Sequence, residues 1–283
     1  MSRDVNIRPS QSSDTLRRIA MLVHYDGTNY SGFQAQNDQP TIQVAIERAI
    51  GQLTGEYRRV QGAGRTDAGV HASGQVIAFD TWTSYSTTVF LRATNRYLPQ
   101  DIRVHRVSEV DIQFDPRRSA IRRNYSYHII NQEVDSPLRS RYTHIVKRPM
   151  DITAMQAAAA FIEGDIECAP FSGRLGHREG RTRRKISFCS VTRSGSTVTI
   201  DMAASGFLPQ QVRRTVGALV EIGLGTMCME EFRAKMESGV QGAFRLVLPA
   251  KGLELTAVEY LVSPFESVDN LQPIGSYVKV GAI

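Results

Sequence analysis

Cysteine is scarce in this chain: Cys168, Cys189 and Cys228 stand far apart, and no two form a C-x-x-C pair. That excludes a disulfide framework and a cysteine-rich zinc site, and it suits a cytosolic protein. Long apolar runs are missing as well. No uncharged apolar stretch approaches the roughly 20 residues that cross a bilayer, and Met1 to Arg18 lacks the apolar core of a signal peptide. No membrane partner is expected, and the expected location is the cytoplasm. Acidic residues are in deficit: 28 Asp and Glu face 34 Lys and Arg, a net charge of +6 with the arginines in clusters. Such a balance favours an anionic partner, nucleic acid first. The rest is an ordinary globular composition, 41% hydrophobic over 283 residues, enough for a sizeable core and for two domains.

Residues 1–18 are polar and aperiodic and are expected to form a disordered tail. Ile19 to Tyr25 (IAMLVHY) reads as a buried strand that Asp26-Gly27 breaks. Thr41 is placed to cap a helix whose apolar residues, Ile42, Ala45, Ile46, Ala49, Ile50 and Leu53, recur at helical spacing until Gly55. A strand over Gln75 to Asp80, a helix face of Phe90, Ala93, Thr94, Tyr97 and Leu98, and a strand over Ile102 to Val110 follow, with a further strand expected over Glu56 to Gln61. The second half repeats this order with other residues: strand Tyr125 to Ile130, a helix behind Asp151, strands Ile186 to Thr192 and Thr197 to Ala203 around Ser194-Gly195-Ser196, a helix with Val212, Val216, Leu219 and Val220 inward, and a closing strand from Leu253 to Val262. Both halves fit the split β-α-β scheme of ferredoxin-like domains, an α+β class with mainly antiparallel sheets. The expected division is 19–113 and 114–263, followed by a C-terminal extension, 264–283.

Gln61 to Ala72 (QGAGRTDAGVHA) puts one carboxylate, Asp67, between Gly64 and Gly69 just before a strand. An aspartate in such a loop commonly does no more than cap a turn. A dinucleotide loop is excluded, because Asp67 falls where G-x-G-x-x-G needs its last glycine and would repel a pyrophosphate. A lone carboxylate beside Arg65 suits a nucleophile or base that must stay ionised at neutral pH. Further on, Arg123, Tyr125 and Tyr127 share one face of their strand by alternation, offering phosphate contacts and a ring on which an extruded base can stack; a half-buried Tyr-rich strand would look the same. On the helix of GFLPQQVRRTVG, Arg213 falls at the border of the core face, where it can enter a cleft and meet a carboxylate. Arg214 points away, as a solvated charge or a phosphate contact. Arg174 to Lys185 carries six Lys/Arg against one Glu, either a solvated loop or an RNA clamp.

Taken together these segments resemble the tRNA pseudouridine synthase A (TruA) family, over about Ile19 to Tyr260. YDGTNYSGFQAQ is similar to its opening motif, with Phe33 where Trp is usual; GRTDAGVHA to its catalytic loop; FDPRRSAIRRNYSY to its base-stacking strand; GFLPQQVRRTVG to its third active-site element; and AKGLELTAVEY to its closing strand. Pro209-Gln210-Gln211 departs from the usual aromatic, His and Met. The resemblance implies the pseudouridine synthase fold, with its two halves flanking a basic cleft. It also implies isomerisation of uridine to pseudouridine in the anticodon stem-loop of tRNA, at positions 38 to 40, by a homodimer without cofactor or metal. Asp67 would be the catalytic aspartate, attacking C1′ or drawing a sugar proton to give a glycal. Tyr125 would be the aromatic that stacks the base and assists proton removal from C5, and Arg213 the partner of Asp67. Arg65, Thr66, His71, Arg117, Arg123, Arg178, Arg181, Arg183 and Arg184 are the expected substrate contacts.

Other classes fit less well. A pyrimidine C5-methyltransferase needs a nucleophilic Cys, and none lies in these clusters. A zinc deaminase needs H-x-E and P-C-x-x-C, and neither occurs. A non-catalytic RNA-binding protein is the remaining alternative; it explains the charge and the tyrosines but leaves the Asp67 loop without a role.

Overall fold

The apolar faces of the helices need one surface to cover, and a ten-stranded sheet supplies it in a computed structural model that describes residues 12–175 and 181–265. In chain order the elements are β1 (Ser12–Tyr25), α1 (Ile42–Thr54), β2 (Gln61–Gly62), β3 (His71–Thr83), α2 (Thr87–Tyr97), β4 (Ile102–Val110), β5 (Ala120–Ile130), β6 (His144–Ile145), α3 (Ile152–Ala160), β7 (Gly164–Glu167), β8 (Arg183–Ser194), β9 (Thr197–Ala204), α4 (Gln211–Gly223), α5 (Met229–Glu237) and β10 (Leu253–Tyr260). Helix α1 starts where its cap lies: the Thr41 hydroxyl accepts from the Val44 N–H, and Gly55 ends it at φ 73°. Its Ile42, Ile46, Ile50 and Leu53 face the sheet. Asp151 caps α3 in the same way, through Ala154 N–H at 3.0 Å.

The strands run β4-β1-β3-β10-β5-β9-β8-β7, with β2 against β3 and β6 against β5. Most neighbours are antiparallel, in keeping with the α+β class. The last strand lies in the middle: β10 pairs parallel with β3 through Glu254 with His71 and Leu255 with Ala72, and antiparallel with β5. The two expected halves are therefore joined into one sheet by the last strand among the described residues, and one large hydrophobic core runs beneath both. On the opposite face polar side chains pair across strands: Arg122 with Glu259, Ser126 with Asp201, and His128 with Glu254.

Several expectations need correction. The tail does not extend to Arg18, because β1 begins at Ser12. Its charges have partners on the flanking strands: Arg17 meets Glu109, and the buried Arg18 donates to Asp80 and to the Phe114 carbonyl. The strand expected over Glu56 to Gln61 shrinks to β2, since Glu56 turns its carboxylate to Thr81 and the Trp82 N–H instead of continuing a ladder. The basic run is not all loop, for Arg183 to Lys185 begin β8 and pair with β7. Residues 176–180, with Arg178, lie outside the described residues. Helix α5 escaped the sequence reading because one apolar residue, Phe232, is buried in it, against Phe171 and Phe244. The closing strand stops at Tyr260, leaving Leu261 and Val262 exposed. Of the expected extension, Phe265 packs against Ala20, Ala63 and Val76, and 266–283 lie outside the described residues.

The seam between β3 and β10 has no room for a side chain at Gly74, where an added Cβ would stand 2.2 Å from the Thr256 carbonyl oxygen. Gly74→Ala should therefore destabilise the protein by about 2 to 3 kcal/mol, the upper range of overpacking because backbone must move. Urea unfolding checks this, and a change under about 0.5 kcal/mol, the ordinary surface range, would show that the seam yields easily.

Candidate active site

Between β2 and β3 the chain makes the loop that carries Asp67, and close backbone packing sets its path. The Thr66 carbonyl accepts from Phe33 N–H at 3.1 Å, and Gly69 N–H reaches the Tyr30 carbonyl at 3.3 Å. Gly32, at φ 95°, faces the loop so closely that a Cβ there would lie 2.8 Å from the Thr66 carbonyl oxygen. The turn is closed by the carbonyl of Asp67, which accepts from Val70 N–H at 3.2 Å. The carboxylate takes no part in that closure, and its Oδ2 accepts instead from Arg213 Nη1 at 3.2 Å. The loop and α4, which come from opposite ends of the sequence, meet in this contact.

Arg213 is largely buried, whereas the Asp67 side chain keeps 40% of its surface open. The Arg213 guanidinium donates through Nε to the Leu248 carbonyl at 2.7 Å. Its two edges thus serve two acceptors. Tyr125, on β5, is the third member; its ring meets Phe207 edge-on, with centroids 5.2 Å apart. Burial pushes the Tyr125 hydroxyl well above the usual phenol range, and the nearby Asp67 charge adds to it. The hydroxyl is therefore neutral at physiological pH.

These three groups line one cleft of about 780 Å³, together with Arg65, Arg117, Arg181 and Arg184. Asp67 is its carboxylate, among seven arginines counting Arg118, Arg123 and Arg213. Phe207, which sequence reasoning passed over although its segment was singled out, packs its ring at right angles to that of Tyr125.

Several expected contacts are engaged within the fold. Arg184 lines the cleft with its Nη1 donating to the carbonyls of Arg181 and Arg183, at 2.9 and 2.7 Å. Arg123 shares the face of Tyr125 and Tyr127, as alternation predicts, but its guanidinium donates to the carbonyls of Ala63, Arg117, Ala120 and Ser205. It ties the Asp67 loop to β5. Thr66 is buried with its hydroxyl 2.9 Å from Tyr25 Oη. His71 lies in a different cavity, of about 700 Å³, with Asp26, Glu254 and the stacked pair His24 and His105; burial lowers its pKa against the pull of Asp26. Arg183 turns to Asp165. Arg214, read as a solvated charge or a phosphate contact, is half-buried and donates to the Phe244 carbonyl and to Gln210 Oε1. Gln210, at φ 59°, is one of the two non-glycine residues with positive φ among those described.

Comparison with known proteins points the same way. A family model described as tRNA pseudouridine synthase matches residues 21–117 and 158–261. The tRNA pseudouridine synthase A of Roseiflexus castenholzii is 41% identical over 250 residues, covering 87% of this chain and 91% of that relative. That of Brevibacillus brevis is 38% identical over 245 residues, covering 87% of this chain and all of the relative. Among solved structures, the archaeal box H/ACA sRNP Nop10-Cbf5 complex matches at TM-score 0.35 and 12% identity, over 72% of this chain and 44% of that one, too distant to carry weight. With a match over most of its length, and with the carboxylate loop and its arginine inside the matched segments, the chain belongs to the tRNA pseudouridine synthase family.

Proposed function

We propose that this protein isomerises uridine to pseudouridine in the anticodon stem-loop of tRNA, at positions 38 to 40, with Asp67 as the reacting carboxylate. The observation that carries this reading is the Asp67–Arg213 contact beside the Tyr125 ring in a cleft rimmed by arginines. A carboxylate facing phosphates weakens RNA binding. Its presence at the centre of a basic cleft therefore argues for chemistry rather than retention.

In the reaction the N1–C1′ bond breaks, the uracil turns while held, C5 bonds to C1′, and the C5 proton leaves. Asp67 either adds to C1′ as the base departs and is displaced when C5 bonds, or takes a ribose proton to give a glycal and returns it. Arg213 serves both routes by holding the carboxylate in place, its guanidinium itself fixed by the Leu248 carbonyl. Tyr125 offers a flat ring to the extruded base. As a neutral hydroxyl it assists C5 deprotonation by accepting the C5 proton on its oxygen while giving its own proton to solvent in the cleft. Arg65, Arg117, Arg181 and Arg184 supply cations for phosphates, while Thr66 and Arg123 support the loop and His71 accepts from the Gly27 N–H outside it. A homodimer in the cytoplasm belongs to the same reading. What supports the dimer is the family resemblance. Among the described residues no helix is long and apolar enough to cross a membrane.

The direct test is tritium release from 5-tritiated uridine in a tRNA transcript, with the modified position mapped. Asp67→Asn removes the ionisable group with little change of shape and should abolish release while the circular dichroism spectrum stays that of the parent; substantial activity in that folded variant would refute the assignment. Arg213→Lys should recover only a small part of what Arg213→Ala loses, because an ammonium cannot serve Asp67 and the Leu248 carbonyl from two edges.

Tyr125→Phe keeps the ring and should leave tRNA affinity nearly unchanged, whereas Tyr125→Ala should lose on the order of 1 to 3 kcal/mol of stacking, read by titration binding. Equal affinities for the two variants would return Tyr125 to the core. For the basic rim, replacing Arg181 and Arg184 together with Ala should flatten the plot of log affinity against log salt by about 0.7 to 0.9 for each phosphate no longer neutralised. Arg183→Ala, whose side chain faces Asp165, should leave the slope as it was, and a slope unmoved by all three would put the tRNA path elsewhere.

A further inference from the structure

The loop that carries Asp67 leaves the sheet at Ala63, whose N–H still donates to the Val76 carbonyl at 2.8 Å. Past that point a side chain takes the place of the ladder. Gln75, on β3 and fully buried, accepts through Oε1 from Gly64 N–H at 3.4 Å and donates through Nε2 to the Gly64 carbonyl at 3.0 Å. The same Nε2 lies 3.3 Å from Tyr25 Oη, and Tyr25 Oη lies 2.9 Å from Thr66 Oγ1. Tyr25 and Thr66 are buried as well. A buried polar chain therefore grips the loop at Gly64 and again at Thr66, one residue short of Asp67. Gly64 is also where the loop meets β5, since a Cβ added there would stand 3.9 Å from Tyr125 Oη.

Burying a carboxamide is unfavourable unless its hydrogen bonds are satisfied. Here both of its ends are directed to the loop, and neither to the strand on which it sits. Asp67, by contrast, is open to solvent on one side and has Arg213 on the other. We propose that Gln75, acting with Tyr25, is a positioning residue for the isomerisation: it sets the Gly64–Thr66 backbone and thereby the placement of the Asp67 carboxylate relative to the Tyr125 ring. This rests on the reading of Asp67 as the reacting carboxylate.

The test uses the full chain, a 5-tritiated tRNA transcript, and three variants measured for kcat, tRNA Kd and melting temperature. Gln75→Met fills the space without the hydrogen bonds and should lower kcat about ten- to a hundredfold, the scale of a misplacement near 1 Å, with Kd within about twofold of the parent. Gln75→Glu separates positioning from packing. A protonated carboxyl reproduces the donor and acceptor that the carboxamide turns to Gly64, though not its second N–H toward Tyr25, whereas an ionised one repels the Gly64 carbonyl, and burial raises its pKa. Its kcat relative to the parent at the same pH should therefore rise as pH falls from about 9 to about 6, through that raised pKa. Burial pushes the Tyr25 hydroxyl up to about 12, so it does not titrate in this window. Referring each rate to the parent removes every pH effect that the two enzymes share. A ratio independent of pH, or a kcat of Gln75→Met equal to the parent, would overturn the proposal. So would a Kd that worsens in step with kcat. Should either Gln75 variant not fold, Tyr25→Phe, which keeps the ring and loses the link to Thr66, decides: a severalfold lower kcat at unchanged Kd supports the proposal, and the parent's kcat overturns it. An active Asp67→Asn enzyme would instead remove the premise. An inactive one beside a flat Gln75→Glu ratio would sink only the role of Gln75.

Discussion

The contact between Asp67 and Arg213 joins residues 146 positions apart, and it can form only if a loop at the edge of β3 and the first turn of α4 face one cleft. Neither segment touches the other through its own local structure. What aligns them is the run β3-β10-β5-β9, in which the closing strand enters between the two halves and continues the sheet across them. Crowding at that seam, where the β10 backbone passes directly over Gly74, leaves little freedom for the halves to shift. The geometry of the candidate site is in this sense a property of strand order.

Arginines of similar appearance in the sequence have different partners in the fold. A guanidinium has five N–H donors and becomes costly once buried without acceptors. Arg123 solves this with four carbonyls at the ends of neighbouring elements, and so acts as a clamp. Arg213 divides its donors between one carbonyl and one carboxylate, and Arg214 binds a carbonyl and a carboxamide. Arg117 and Arg181 are exposed on the cleft wall, where their charge faces solvent and any anion that enters. Adjacent positions thus differ in function because burial assigns their hydrogen bonds differently.

The carboxylate loop shows the complementary economy. Its outward face presents Arg65 and Asp67, while inward it is fixed by backbone bonds to the Tyr30–Phe33 turn and by the buried Gln75, Tyr25 and Thr66. A reacting group on a loop needs such support, since a small displacement costs catalysis far more than stability.

Much of the fold was legible beforehand because local signals set it: Thr41 and Gly55 bound α1, Asp151 starts α3, and alternation marks β4 and β9. Asp67, Tyr125 and Arg213 are singled out by the family resemblance of their segments, and helical spacing puts Arg213 at the edge of the core face. The polar start of β1 and the shortness of β2 were hidden, because each depends on partners supplied by distant strands; α5 was hidden because one buried Phe leaves no periodic signal. Local chemistry in the sequence determined which residues could react and where most helices and strands begin. Only the tertiary structure decided that Arg213 meets Asp67, that Arg123 is bound to carbonyls, that His71 turns to another cavity and that Gln75 holds the loop, because a hydrogen bond across the sheet depends on strand order and burial, which no local window of sequence contains.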